Sequence, residues 1–170
     1  MPANLESIEQ ALKTLFIGKI VSCPLYPIEI PGIVAADAFD ANDCFGTIFQ
    51  IPVPKNGVLH SATFWDLDYE GTQVDFMIYG NPITQIASDA AWAPSDADQL
   101  VFVTALSFVS YIGHVNSYTF ELNNIGKAYS AARGKFDIQA VTRATPTIAA
   151  GAMPRFQLQI LSFDPDFMER

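Results

Sequence analysis

Four carboxylates crowd one short stretch of the chain, residues 57–80 (GVLHSATFWDLDYEGTQVDFMIYG): Asp66, Asp68, Glu70 and Asp75. Paired carboxylates can work as acid and base in glycoside hydrolysis when they stand roughly 5 to 10 Å apart. They can also ligate Ca2+, a hard cation that takes oxygen donors. Two strands joined by a polar turn would put Asp66 and Asp75 on one face, with Asp68 and Glu70 in or beside the turn. A solvated hairpin end accounts for the same residues more simply, because Asp and Gly suit turn geometry. The turn is the preferred reading.

The other chemistry-bearing residues are sparse. His60 and His114 are the only two histidines, 54 positions apart and without an HxH pair, so a cupin-type metal site is not expected and both are assigned to surface or boundary positions. A Ser-His-Asp triad can be assembled from distant residues, but there is no GxSxG elbow and no set of helices for an α/β-hydrolase. Gly32, Gly46, Gly57 and Gly71 are isolated, so neither a P-loop nor a dinucleotide fingerprint is present. Arg143, beside Thr142 and Thr145, could hold an anion; pairing with an Asp at a strand end is preferred. Cys23 and Cys44 are not in CxxC spacing and read as buried free thiols rather than a bridge. No catalytic residue, cofactor or metal ligand is therefore expected. Trp65, Trp92, Tyr69 and Tyr79 could form an aromatic platform for sugars. Trp65 belongs to the more apolar face of its run and reads as core. Trp92, in the loop 91–94, is the better candidate for a ligand or for a protein interface, where aromatics are enriched.

These residues need elements to position them. Leu59, Ser61, Thr63, Trp65 and Leu67 alternate with Val58, His60, Ala62, Phe64 and Asp66, and Val74, Phe76 and Ile78 with Gln73, Asp75, Met77 and Tyr79. That period of two predicts a hairpin over 58–67 and 73–79, with Trp65 opposite Val74 if the loop has four residues. Further strands are predicted at 16–22, 45–53, 101–111, 115–122, 135–142 and 155–163, the fifth and sixth of the eight forming a second hairpin around Gly113 and His114. Val, Ile, Phe, Tyr and Thr dominate these runs, and the prolines fall between them or at their ends. Residues 88–99 hold the only other helical turns, with Ser-Asp pairs as caps and Pro94 as a break. At the front, Leu5, Ile8, Leu12 and Leu15 follow helical spacing, with Asn4 as cap and Gly18 as stop. That helix could pack on its own domain or dock on a neighbouring subunit. Residues 1–44 thus read as helix or arm and first strand, and 45–170 as body, in one domain overall. The fold class expected is all-β: a two-sheet antiparallel sandwich, with a jelly roll first and an immunoglobulin-like sandwich or closed barrel as alternatives.

Composition narrows the partners. Of 170 residues half are hydrophobic, and only 16% are charged, against roughly 25% in an ordinary soluble domain. Little polar surface is left to coat a monomer, which points to a homo-oligomer or a large partner interface. The net charge of −9 repels phosphates, so neither nucleic acid nor an anionic membrane is an expected partner. No secretory signal is read at the N-terminus, and the longest apolar run, 101–112, falls short of a membrane span. The chain is expected to mature in reducing cytoplasm.

Several motifs occur in a fixed order: Phe45-Gly46, then the turn Pro54-Lys55-Asn56-Gly57, Asp66-Leu67-Asp68 with Glu70-Gly71, and Asp75 to Gly80. Ser95-Asp96-Ala97-Asp98 before a long strand follows, then Val141-Thr142-Arg143-Ala144-Thr145-Pro146-Thr147 before the last one. In this order the chain from about Phe45 to Phe163 resembles the capsid decoration, or cement, proteins of tailed bacteriophages, built on a jelly-roll-like sandwich. The resemblance implies a non-enzymatic virion protein, assembled in host cytoplasm, that binds the outer surface of an icosahedral shell. It would be a dimer or trimer bridging subunits of the major capsid protein. Leu5, Ile8, Leu12, Leu15 and Trp92 are the candidate interface residues, and Pro-rich loops such as 23–32 could add contacts. The alternative is a carbohydrate-binding module of a head fibre or tail.

Overall fold

The computed structural model describes residues 18–34, 38–68, 70–149, 152–164 and 167. Ten strands are found among them: β1 (Lys19–Glu29), β2 (Phe49–Pro52), β3 (Asn56–Asp66), β4 (Val74–Tyr79), β5 (Phe102–Phe108), β6 (Tyr111–Gly113), β7 (Tyr118–Leu122), β8 (Lys127–Ser130), β9 (Lys135–Thr142) and β10 (Arg155–Ser162). One helical turn, α1 (Asp96–Gln99), precedes β5. All eight predicted strands are present; the short β6 and β8 are additional. The helix expected over Leu5, Ile8, Leu12 and Leu15 lies outside the described residues.

The pairing is nested. β4 pairs with β5, β3 with β7, β2 with β9 and β1 with β10, all antiparallel. Such a ribbon, rolled on itself, gives two sheets, β1-β10-β3-β7-β6 with β8 also on β3, and β2-β9-β4-β5. This is the strand order of a jelly roll.

The nesting overturns the first predicted hairpin. β3 and β4 are consecutive but lie in different sheets, so Trp65 faces Arg155 and Thr119 rather than Val74. The second hairpin is shorter than expected: β6 pairs with β7 around His114, while β5 belongs to the other sheet. Trp65 is also not core. On β3, Ser61 pairs with Gln159 but Leu59 pairs with Ile160, so His60 is an extra residue, a β-bulge. The bulge shifts the alternation by one. Leu59 faces inward before it, Ala62 and Phe64 after it, and Trp65 is turned to the outer face.

The core between the sheets is aromatic. Phe64, Phe120 and Phe156 from one sheet meet Phe49, Phe76, Phe108 and Phe136 from the other, all buried. Phe76 and Phe156 stack at 4.1 Å across the interface, and Phe49, Phe64 and Phe108 meet Phe76 at angles. Tilted and edge-on contacts of this kind add about 0.5–1.5 kcal/mol each beyond area burial.

Both cysteines are free and buried, as read. Burial pushes the Cys23 thiol up to about 12, and burial followed by the Asp43 charge pushes Cys44 up to about 11. The thiolate is the reactive form. We predict that a disulfide-exchange reagent at pH 8 leaves both thiols untouched in the folded protein and titrates two per chain in denaturant. Fast reaction of either under native conditions would contradict this burial.

Candidate functional site

The carboxylates that looked most like a catalytic group are structural. Asp66 is buried at the end of β3. Its Oδ1 accepts from the Asp68 N–H at 3.0 Å, and its Oδ2 from those of Gly71 at 2.8 Å and Thr72 at 3.1 Å. One side chain thus holds the turn that carries the chain from one sheet to the other. Asp75, expected on the same face as Asp66, instead lies on the outer face of the second sheet. There it pairs with Arg143 at 2.8 Å, the strand-end partnership expected of that arginine. Arg143 also donates to the Asn42 side chain. Asp68 and Glu70 accept the Ala149 and Thr147 N–H groups at 2.6 and 3.3 Å, clipping the turn to the segment before β10.

The histidines do not meet. His60 shares a hydrogen bond with the Ser61 hydroxyl at 3.3 Å, and His114 with that of Thr119 at 3.1 Å. Among the described residues no three of His, Cys, Asp and Glu gather as a metal site would require, and no helix is long and apolar enough to cross a membrane.

Trp92 belongs to a layer over the outer face of the second sheet. Met77, Tyr79 and Val141 point outward there and are buried, with Trp92, Ile83 and Val101 packed on them. The rings of Trp92 and Tyr79 lie 6.4 Å apart, and the Trp92 backbone N–H donates to the Asn42 carbonyl at 2.9 Å. Ser95 caps α1, and Asp98 closes the reciprocal capping box. The Asp98 carboxylate also accepts the Thr84 N–H at 2.9 Å. The Ser95 hydroxyl first, and then the Thr84 N–H, hold the Asp98 carboxyl below its usual range. A lowered folded value stabilises the fold above the unfolded one, so this contribution is lost only as pH falls through the lowered value.

Trp92 is therefore a half-buried loop anchor. Tyr69 lies outside the described residues, and Trp65 and Trp92 occupy outer faces on opposite sides of a sandwich whose sheets are about 10 Å apart, so they share no platform. Trp92→Ala is expected to cost about 1–2 kcal/mol, below the 3–5 of a fully buried aromatic. A change in denaturation midpoint at constant slope checks it. An unshifted midpoint would mean that the indole does not anchor the loop.

Exposed apolar side chains stand in several places, Leu100, Phe102 and Val109 at or beside β5 among them; two groups lie at the two ends of the first sheet. β1 pairs with β10 on one side, and its register breaks between Cys23 and Ile28. Pro24 and Pro27 sit in this break, at an edge where a missing N–H harms no ladder. The Gln157 side chain donates to the Pro24 and Leu25 carbonyls at 2.9 and 3.1 Å and holds the break in place. Leu25 and Tyr26 are left 68% and 77% exposed. At the other end, Ile112 of β6 and Val115 of the β6–β7 turn are exposed, Val115 at 89%. Sequence reading marked the Pro-rich segment 23–32 as a contact region. It missed 111–115, read only as the end of one strand, a turn and the start of the next.

No family model, curated protein or solved structure matches this chain.

Proposed function

We propose that this protein is a non-enzymatic virion component, a capsid decoration protein that binds the outside of an icosahedral shell and bridges major capsid subunits. The observation that carries this reading is the placement of exposed apolar side chains at both ends of one rigid sheet. Leu25 and Tyr26 stand at β1, Ile112 and Val115 at β6. The two strands are four spacings apart, about 19 Å at the usual inter-strand distance. A body with two such edges can touch two neighbours at once, and weak contacts repeated over a symmetric shell add up to strong retention. The aromatic core makes the body stiff enough to transmit load between them. The acidic surface suits a basic patch on a protein partner and disfavours the packaged DNA. The carbohydrate-binding alternative loses its shared aromatic platform, with Trp65 and Trp92 on opposite sides.

The test is the copy number of this chain in purified virus particles relative to the major capsid protein. A ratio of one, or a simple fraction of it, is expected. Tyr26→Asp and Val115→Asp should each lower that occupancy while shifting stability by less than about 0.5 kcal/mol, as exposed substitutions do. Absence of the chain from particles would end the capsid reading. A few copies per particle would move it to a fibre or tail.

A further inference from the structure

β5 (Phe102–Phe108) closes one side of the second sheet, where it pairs with β4 and with no other strand. Among the described residues no backbone hydrogen bond reaches its free side, and the chain around it is described without a break from 70 to 149. An open edge of seven residues is a template for another strand, and proteins ordinarily blunt such edges with Lys, Pro, an inward charge or a bulge. β5 has neither charge nor Pro. Its one irregularity, the register shift between Ile78 and Tyr79, lies at the Phe102 end and leaves 104–108 regular. Residues 99–120, which hold β5, β6 and the start of β7, are the longest run of the chain without Asp, Glu, Lys or Arg. Copies of a chain with net charge −9 repel one another over most of their surface. Here they can meet without bringing like charges together.

The edge is also complementary to itself. Its large exposed side chains stand at its two ends, Phe102 (41%) at one and Val109 (58%) just past the other. The exposed residues between them are small, Ala105 and Ser107. A two-fold axis sets the two strands antiparallel. Val109 of each copy then lies beside the Phe102 end of the other, and the small residues come together at the axis. Seven paired residues span about 23 Å, and with the flanking side chains they cover roughly 500 Å2 per copy. That is about 1,000 Å2 in all, the least that a specific interface buries.

We infer that two copies of this chain pair through β5, antiparallel about a two-fold axis near Ala105. The second sheet, four strands in one copy, then runs on as eight across the dimer. A two-fold contact uses the same patch on both copies and so closes at two. The inference stands apart from the capsid reading, whose contacts lie on the first sheet.

The test is the mass of the full chain in solution, by light scattering, beside that of Ala105→Lys and Ala105→Glu. The parent is expected at the mass of two chains. Each variant alone puts like charges on either side of the axis and should run at half that mass. An equimolar mixture of the two should return to the mass of two chains, because Lys then stands near Glu. Hydrogen exchange of the unmodified parent gives a second measurement that needs no variant to fold. Every amide of 104–108 should be protected there, including the alternate ones that face away from β4. A monomeric or trimeric parent would overturn the inference. So would a dimer that Ala105→Lys leaves whole, or free exchange at the amides facing away from β4.

Discussion

Phe76→Ala is expected to lower the unfolding free energy by about 3–5 kcal/mol, the cost of truncating a fully buried aromatic. Phe76 sits at the centre of the sandwich. Its ring stacks on Phe156 of the opposite sheet and touches Phe49, Phe64 and Phe108. Truncation removes contacts in both sheets at once, and β-strands held by four flanking aromatics cannot collapse far into the gap. A domain has about 5–15 kcal/mol in total, so about a fifth or more of the stability is at stake. The melting temperature should fall by about 10–15 °C for a chain of this size. Chemical denaturation of Phe76→Ala beside Leu100→Ala, whose side chain is exposed, checks it. The second variant should stay within about 0.5 kcal/mol of the parent. A loss below about 1 kcal/mol for Phe76→Ala would mean that the two sheets do not meet where the structure places them.

Asp66→Ala should come close to the same size for a different reason. No cavity of consequence is made; instead the N–H groups of Asp68, Gly71 and Thr72 lose their acceptor. Unpartnered donors cost about 1–3 kcal/mol each where water cannot reach them. Thr72 is buried while Asp68 and Gly71 are half-buried, so we expect about 3–5 kcal/mol in sum. Asp66→Asn keeps one acceptor oxygen but turns an amide toward a donor, and should recover only part of the loss. Equilibrium denaturation gives the size, and hydrogen exchange at the Thr72 amide gives the place. Undiminished protection of that amide in Asp66→Ala would show that another group holds the turn. Any glycosidase reading would require Asp66 to be reachable by substrate, whereas here its oxygens are committed to the backbone.

How far the sequence reaches is clearest on β3. Alternation over 58–67 marks a half-buried strand, and composition and proline placement mark eight such strands in an all-β sandwich. These are local properties, because side-chain period and missing donors act within a few residues. The bulge at His60 is not legible there. An extra residue shows only against its partner strand, and it moved Trp65 from the expected core to the outer face. Nor does adjacency say which strand a strand pairs with. The acidic turn 66–72 suits a hairpin and a sheet-to-sheet crossover equally well, and Asp66 became a turn-holder rather than half of a carboxylate pair.

The candidate interface divides along the same line. Arg143 finding an Asp at a strand end, and both thiols being buried, follow from residue type and the scarcity of alternatives. The exposure of Leu25, Tyr26, Ile112 and Val115 does not, since an apolar residue in a strand pattern reads as core wherever it stands. By itself the sequence determined the strands, the acidic surface and the two-sheet class, all set by local pattern and composition. Only the tertiary structure decided the nesting, the shifted face of β3 and the apolar ends of the first sheet. Those depend on contacts between residues up to about 140 positions apart, as between Lys19 and Ser162, which no local pattern can encode.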